Sequence, residues 1–91
     1  MTDRILDNQV RSRFEMWESG KLVFANYRLE GDRLVILHVE APPELRGVGV
    51  AGRLMAALLE HARGRHRKVI PVCPYAAAFI RKHPQYQDLL A

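Results

Sequence analysis

The stretch that decides the fold runs from residue 34 to residue 51 and reads LVILHVEAPPELRGVGVA. Its first seven residues are apolar on both faces for most of their length, which predicts a strand in the middle of a sheet. Pro42 and Pro43 end that strand, and Gly47 and Gly49 introduce a helical pattern. The stretch therefore predicts a strand, a glycine-rich loop and the start of a helix, in that order.

The residues that follow predict a strand–helix–strand crossover. An apolar stripe at helical spacing comprises Val50, Leu54, Ala57, Leu58 and Ala62. Gly64 is a natural end for that helix, and residues 68–73 read as a short strand. Two strands joined through a helix lie parallel, with a right-handed connection. Because proline cannot donate to a ladder, Pro71 marks a sheet edge or a point where strands separate.

Antiparallel hairpins are predicted upstream of this crossover. Residues 10–17 alternate, with Val10, Ser12, Phe14 and Met16 on one face, and a second strand covers residues 22–29. Turns are expected at residues 18–21 and 30–33. Downstream, residues 75–83 read as a helix that Pro84 ends. The expected fold is α/β (α+β): about three antiparallel strands, a β-α-β crossover and a C-terminal helix in a single domain spanning residues 1–91.

Composition narrows the class of protein. The chain has 91 residues, of which 48% are hydrophobic and 26% charged, as in an ordinary globular domain. A single cysteine, Cys73, and the lack of an apolar leader or membrane-spanning run favour a soluble protein of a reducing, cytoplasmic compartment. The net charge of +4 is compatible with binding to polyphosphates or acidic proteins. The alternative is a solvated basic surface that binds no such partner. We expect no membrane partner, no nucleic-acid partner and no metal. We expect a monomer, or a weak homodimer that forms through the exposed edge of the last strand.

The glycine loop predicts an anion site. Residues 47–52 match G-x-G-x-x-G, but the strand does not run directly into the glycines and no acidic residue ends the next strand, so a dinucleotide site is disfavoured. No Gly-Lys-Ser/Thr of a Walker loop is present. Free amides at the start of a helix bind phosphate, and Arg46 adds positive charge. The alternative is a turn that only lets the helix pack tightly on the sheet.

Residues 46–51, Arg-Gly-Val-Gly-Val-Ala, resemble the R/Q-x-x-G-x-G/A signature of GCN5-related N-acetyltransferases. The resemblance implies that acetyl-coenzyme A is the co-substrate and that the loop amides bind its pyrophosphate. It also implies that the preceding strand bonds the pantetheine arm and thioester, and that the next strand diverges at Pro71. The coenzyme A-binding residues so implied are Val39, Arg46, Gly47, Val48, Gly49, Val50 and Ala51.

Residues 72–86 are similar to the C-terminal half of a short subgroup of that family, which carries Cys-Pro, an aromatic residue, Ala, a helix and His-Pro-x-Tyr. In this comparison Tyr75, Ala76 and Phe79 line or cover the pantetheine groove, and Lys82 is a candidate for the adenosine 3′-phosphate. The pattern lacks the two helices after the first strand and the last two strands of the larger family. This difference implies either an unusually open acceptor site or a wall supplied by a partner. Ile80 stands where the larger family often has the tyrosine that protonates the departing thiolate.

The candidate catalytic residues are His38, Glu40 and Cys73. His38 and Glu40 share a strand face beside the loop and are candidates for the base, directly or through water. A backbone N–H near Val39 is the candidate for polarising the thioester carbonyl. Cys73 offers a second route through an acetyl-cysteine, although a buried core cysteine is the common alternative.

Two functional hypotheses follow. The first is an acetyl-coenzyme A-dependent N-acetyltransferase whose acceptor is an amine, such as a protein lysine or an N-terminus. The second is a non-catalytic module that binds coenzyme A or acyl-coenzyme A and regulates a partner. A small basic nucleic-acid binder is disfavoured because the aromatic and basic surface pattern of such folds is absent.

Overall fold

The computed structural model describes residues 4–91 and contains one mixed sheet with helices. The strands are β1 (Leu6–Asn8), β2 (Arg13–Glu18), β3 (Lys21–Glu30), β4 (Arg33–Glu40) and β5 (Lys68–Pro71), in that spatial order. The helices are α1 (Val50–Gly64) and α2 (Pro74–Lys82), with 3₁₀ segments at Pro43–Leu45 and Pro84–Leu89. Neighbouring strands from β1 to β4 are antiparallel, and β4 and β5 are parallel. The predicted fold class is confirmed.

Tight turns build the predicted hairpins. Ser19 and Gly20 join β2 to β3 with φ of 53° and 75°, the left-handed pair that suits the twist of a two-residue hairpin. Gly31, with φ of 63°, turns the chain between β3 and β4. Within residues 4–91, no helix is both long enough and apolar enough to cross a membrane.

The hydrophobic core lies on one face of the sheet. Phe14, Val23 and Tyr27 point from β2 and β3 into the same cluster as the fully buried Leu54 and Leu58 of α1. The buried residues of α2, Ala76 and Ile80, belong to this cluster as well. Both helices therefore cover the same face of the sheet.

We call the opposite side of the sheet the open face, because no helix within residues 4–91 covers it. Residues paired directly across neighbouring strands share a face. By this register the residues of the open face include Leu6, Asn8, Arg13, Glu15, Trp17, Leu22, Phe24, Asn26, Arg28, Val35, His38 and Glu40.

A bulge in β4 decides which way the site residues point. Tyr27 pairs with Ile36 but Asn26 pairs with His38, so Leu37 is an extra residue on β4. Without the bulge, His38 would share a face with Ile36 in the core. With it, His38 and Glu40 lie on the open face, and Val39 packs against the core.

The structure corrects several predicted boundaries. Strand β2 begins at Arg13 because Ser12, with φ of 51°, forms a turn, so Val10 and Ser12 do not extend the buried face. Strand β1 was not predicted; the Tyr27 hydroxyl donates to Asp7 Oδ1 at 2.5 Å and ties it to the sheet.

The C-terminal boundaries differ as well. Strand β5 ends at Pro71, not at residue 73. The predicted exposed edge of this last strand is partly covered, because Leu90 bridges to Val69 and the Ala91 amide donates to the Val69 carbonyl at 3.1 Å.

His61 makes stability depend on pH. Its ring lies 5.2 Å from the Phe14 ring, centroid to centroid, and its Nε2 is buried with no hydrogen-bond partner among residues 4–91. Burial lowers the pKa of His61 below 6.5, the nearby Arg65 and Arg67 lower it further, and Asp7 opposes them. Burying an imidazolium without a partner is unfavourable, so the native state holds His61 neutral.

We expect the free energy of unfolding to fall as pH drops from about 6.5 through the lower native-state pKa of His61. Over that window the unfolded chain binds more protons, so stability rises with pH. His61→Phe keeps an aromatic ring on Phe14 and should reduce the loss between about pH 7.5 and about pH 5 in urea titrations. The exposed His66 is the control: His66→Asn should keep the wild-type slope. Equal slopes for wild type and His61→Phe would contradict this assignment.

Candidate active site

A cleft opens where β4 and β5 part. The parallel pairing ends at Ile36 and Pro71, and proline has no N–H with which to continue the ladder. The amides of Val72 and Cys73 both donate to the Ile36 carbonyl at 3.0 Å, so the chain turns away at that point. Strand separation was predicted at Pro71, and the observed ladder ends there.

A cavity of about 510 Å³ lies between the end of β4 and the start of α1. Its lining comprises His38, Val39, Glu40, Ala41, Leu45, Arg46, Gly47, Gly49, Val50, Ala51, Gly52 and Tyr75. The volume falls within the range of roughly 300–1,000 Å³ typical of small-molecule sites.

The glycine loop forms one wall of this cavity. Gly47 and Gly49 have φ of 85° and 82°, which L side chains rarely adopt. A Cβ at either glycine would meet no protein atom within 4 Å, so both face open space. Gly49 is the N-cap of α1 and carries no capping side chain. The first amides of α1 thus have no acceptor within residues 4–91 and are available to an anion.

Arg46 is fixed beside these amides. Its Nε donates to the Ala41 carbonyl at 3.2 Å, which holds the guanidinium against the strand–loop junction. A fixed cation and a helix N-terminus at one wall of a cavity stabilise negative charge. The loop therefore suits an anion such as a pyrophosphate.

His38 and Glu40 form a hydrogen-bonded pair at the other side of the cavity. Nε2 of His38 lies 3.0 Å from Oε1 of Glu40. Because a carboxylate only accepts hydrogen bonds, the imidazole carries a proton on Nε2 in this pair, which leaves Nδ1 as the acceptor of a neutral ring. Both side chains are about half exposed and lie on the open face. The pair is therefore reachable from solvent and borders the cavity.

Tyr75 contributes the only side-chain hydroxyl among the lining residues. Its oxygen lies 3.8 Å from where a Cβ of Gly52 would stand, so it reaches across from α2 to the first turn of α1. Burial raises the pKa of Tyr75, and Cys73 adds to the effect. The hydroxyl therefore stays protonated at neutral pH.

The structure does not bring every candidate residue to the cavity. Cys73 is 5% exposed and belongs to the core cluster, and it is absent from the lining. Val48, Ala76, Phe79 and Lys82 also lie outside the lining.

Three lining residues were missed from the sequence: Ala41, Leu45 and Gly52. Gly52 was the third glycine of the G-x-G-x-x-G pattern and could have been found. Ala41 precedes the 3₁₀ segment and Leu45 is its last residue, so their burial depends on how that segment folds back.

Comparison with known proteins agrees with this geometry. Residues 13–89 match the model of a family described as GCN5-related N-acetyltransferase. The fold is similar to the NMR solution structure of a candidate GCN5-like N-acetyltransferase from Staphylococcus aureus, with a TM-score of 0.69 and 27% sequence identity. That alignment covers 100% of this chain and 91% of the other. Since the family match spans most of the chain and includes the loop and the cleft, the chain belongs to the GCN5-related N-acetyltransferase family.

Proposed function

We propose that the protein is an acetyl-coenzyme A-dependent N-acetyltransferase that acetylates an amine by direct attack on the bound thioester. The observation that carries the proposal is the shared cavity: the amide-lined start of α1 and the His38–Glu40 pair border the same 510 Å³ space. The first feature holds a pyrophosphate, and the second removes a proton from a nucleophile. Acetyl-coenzyme A, when bound, supplies the acetyl group as a thioester.

The loop residues bind and aim the co-substrate. The amides at the start of α1, together with Arg46, stabilise the pyrophosphate charge. Beyond Pro71 the edge of β4 has no β5 partner, so its backbone groups near Val39 are available to the pantetheine arm and the thioester carbonyl. A backbone N–H near that carbonyl stabilises the negative charge that develops on its oxygen during attack.

The His38–Glu40 pair acts as the base. Glu40 holds the proton of His38 on Nε2, and the free Nδ1 accepts a proton from the attacking amine, directly or through water. The amine nitrogen bonds to the acetyl carbon as the carbon–sulfur bond breaks, and the electron pair of that bond leaves with the sulfur. Buried Ile80 cannot protonate the sulfur, whereas the Tyr75 hydroxyl borders the cavity and has a proton to donate.

Direct attack is favoured over an acetyl-cysteine because of where Cys73 lies. Its side chain is packed in the core cluster and is not part of the cavity surface. We therefore assign Cys73 a packing role behind the cleft.

Gly49→Ala should weaken coenzyme A binding about tenfold or more in calorimetric titration, because the new Cβ projects towards the anion and φ of 82° is strained. Gly31→Ala is the matched control. Gly31 also has a positive φ, 63°, and open space around it, but it lies in the β3–β4 turn. Both variants should lose about 1–2 kcal/mol of stability, and only Gly49→Ala should lose affinity. Equal affinities would exclude the loop as the pyrophosphate site.

His38→Ala should lower kcat for amine acetylation about 100-fold, and Glu40→Gln about tenfold, with coenzyme A affinity within about twofold of wild type. Thiol release measured with acetyl-coenzyme A and n-butylamine gives the rates. The control is Glu30→Gln, since Arg28 and Glu30 form an exposed pair at 2.7 Å with the same spacing along β3. That variant should keep wild-type kcat. A wild-type protein that binds coenzyme A but acetylates no amine would instead support the non-catalytic module.

Cys73→Ala should retain kcat within about threefold, measured below its melting temperature, because the lost sulfur leaves only a small cavity in the core. Mass spectrometry of wild-type protein quenched during turnover should find no acetyl group on Cys73. An acetylated Cys73 together with an inactive Cys73→Ala variant would replace direct attack with the covalent route.

A further inference from the structure

An aromatic and aliphatic patch on the open face adjoins the catalytic pair. Trp17, Leu22 and Phe24 make up this patch, which we call the docking patch. Trp17 is 54% exposed, and Leu22 and Phe24 are half-buried. A largely exposed tryptophan beside other apolar side chains is typical of a surface that binds another molecule.

The docking patch is continuous with the active site. Phe24 pairs directly with Glu40 across β3 and β4, and its ring centroid lies 6.5 Å from that of His38. Leu22 precedes Phe24 by one step on the same face and so lies diagonal to Glu40, at about 7–8 Å between α-carbons. Trp17 pairs directly with Leu22. The patch therefore extends outward from the point where the amine must lose its proton.

Arg13 packs on the Phe24 ring of the patch, and its charge is neutralised by Glu15. The guanidinium of Arg13 lies 4.8 Å from the centre of the Phe24 ring. Its Nε donates to Oε2 of Glu15 at 2.5 Å, and Asn8 donates to the same oxygen at 3.1 Å. Glu15 is only 4% exposed, so this ion pair is a fixed support. Of the two carboxylates beside Phe24, only Glu40 remains open to a cationic acceptor.

The open face is a surface and does not enclose a ligand. A small amine that reaches Glu40 across this face contacts little besides the His38–Glu40 pair and Phe24. An acceptor gains binding energy at Trp17 and Leu22 only if it extends about 7 Å or more beyond its amine. A lysine side chain spans roughly 6 Å from Cα to Nζ, so the residues next to a lysine in a polypeptide reach this distance.

We propose that the docking patch receives a polypeptide segment in which an apolar residue adjoins the lysine that is acetylated. The ammonium of that lysine meets Glu40, its alkyl stem lies over Phe24, and the apolar neighbour contacts Leu22 and Trp17. This inference rests on the proposed acetyl transfer and specifies its acceptor.

The test compares three amines with acetyl-coenzyme A: a blocked tripeptide of alanine, lysine and leucine, the same tripeptide with both flanking residues glycine, and n-butylamine. We expect the leucine tripeptide to show a kcat/KM about tenfold above both others. Trp17→Ala should remove this advantage by raising KM for the leucine tripeptide, and its rate with n-butylamine should stay within about twofold of wild type. Trp17→Phe should restore most of the preference for the leucine tripeptide. Leu29→Ala is the control, since Leu29 is 43% exposed but lies at the far end of β3 on the helix-covered side.

Four outcomes would overturn the inference. If the three amines react equally, or if Trp17→Ala leaves the tripeptide preference intact, the patch does not bind the acceptor, although acetyl transfer to n-butylamine would still support the proposed function. If light scattering shows that Trp17→Ala converts a dimer to a monomer, the patch is an interface between two copies of this chain. If no amine is acetylated, the inference fails together with the proposed transfer.

Discussion

The parallel ladder between β4 and β5 ends at Pro71, and this ending creates the site. A proline offers no N–H to the neighbouring strand, and the next two amides both turn to the Ile36 carbonyl. The last three residues of β4 are paired with β3 on one side and, beyond the end of β5, are bordered by an open cleft on the other. Helix α1, which follows β4, begins at the mouth of that cleft. The first amides of α1 and the free edge of β4 therefore border the same space.

The bulge at Leu37 adds a second constraint. It reverses the alternation of side chains near the end of β4. As a result, His38 and Glu40 lie on the open face, and Val39 lies on the core side. The cavity and the open face therefore meet at a single pair of polar side chains. In the proposed reaction, this pair borders the co-substrate and also faces solvent, so it can receive an acceptor from the side opposite the helices. Strand irregularities of this kind often lie next to active sites, because they redirect a side chain without changing the sheet.

A domain this small has a core on one face only, and its tail contributes to that core. Tyr86 and Leu89 of the C-terminal 3₁₀ segment are buried in the same cluster as α1. Arg63, near the end of α1, donates to Asp88 at 2.6 Å and to the Gln85 carbonyl at 2.8 Å, which fastens the tail beneath the helix. These exposed contacts position the segment more than they stabilise it. Within residues 4–91, the helices and the tail lie on one side of the sheet, which leaves the other side without a covering helix.

The sequence by itself determined strands β2 to β5, the two helices and their order, although it did not indicate β1. Alternation at Phe14 and Met16, the glycine-rich start of α1 and the proline at position 71 are local signals, since each reflects what a few neighbouring residues can or cannot adopt. They sufficed for the hairpins, the crossover, the loop and the pairing of His38 with Glu40. Only the tertiary structure decided that β4 bulges at Leu37, that Cys73 lies in the core and outside the cavity, and that Leu90 covers part of the β5 edge. Those outcomes depend on register and packing between segments far apart in the chain, which no local pattern encodes.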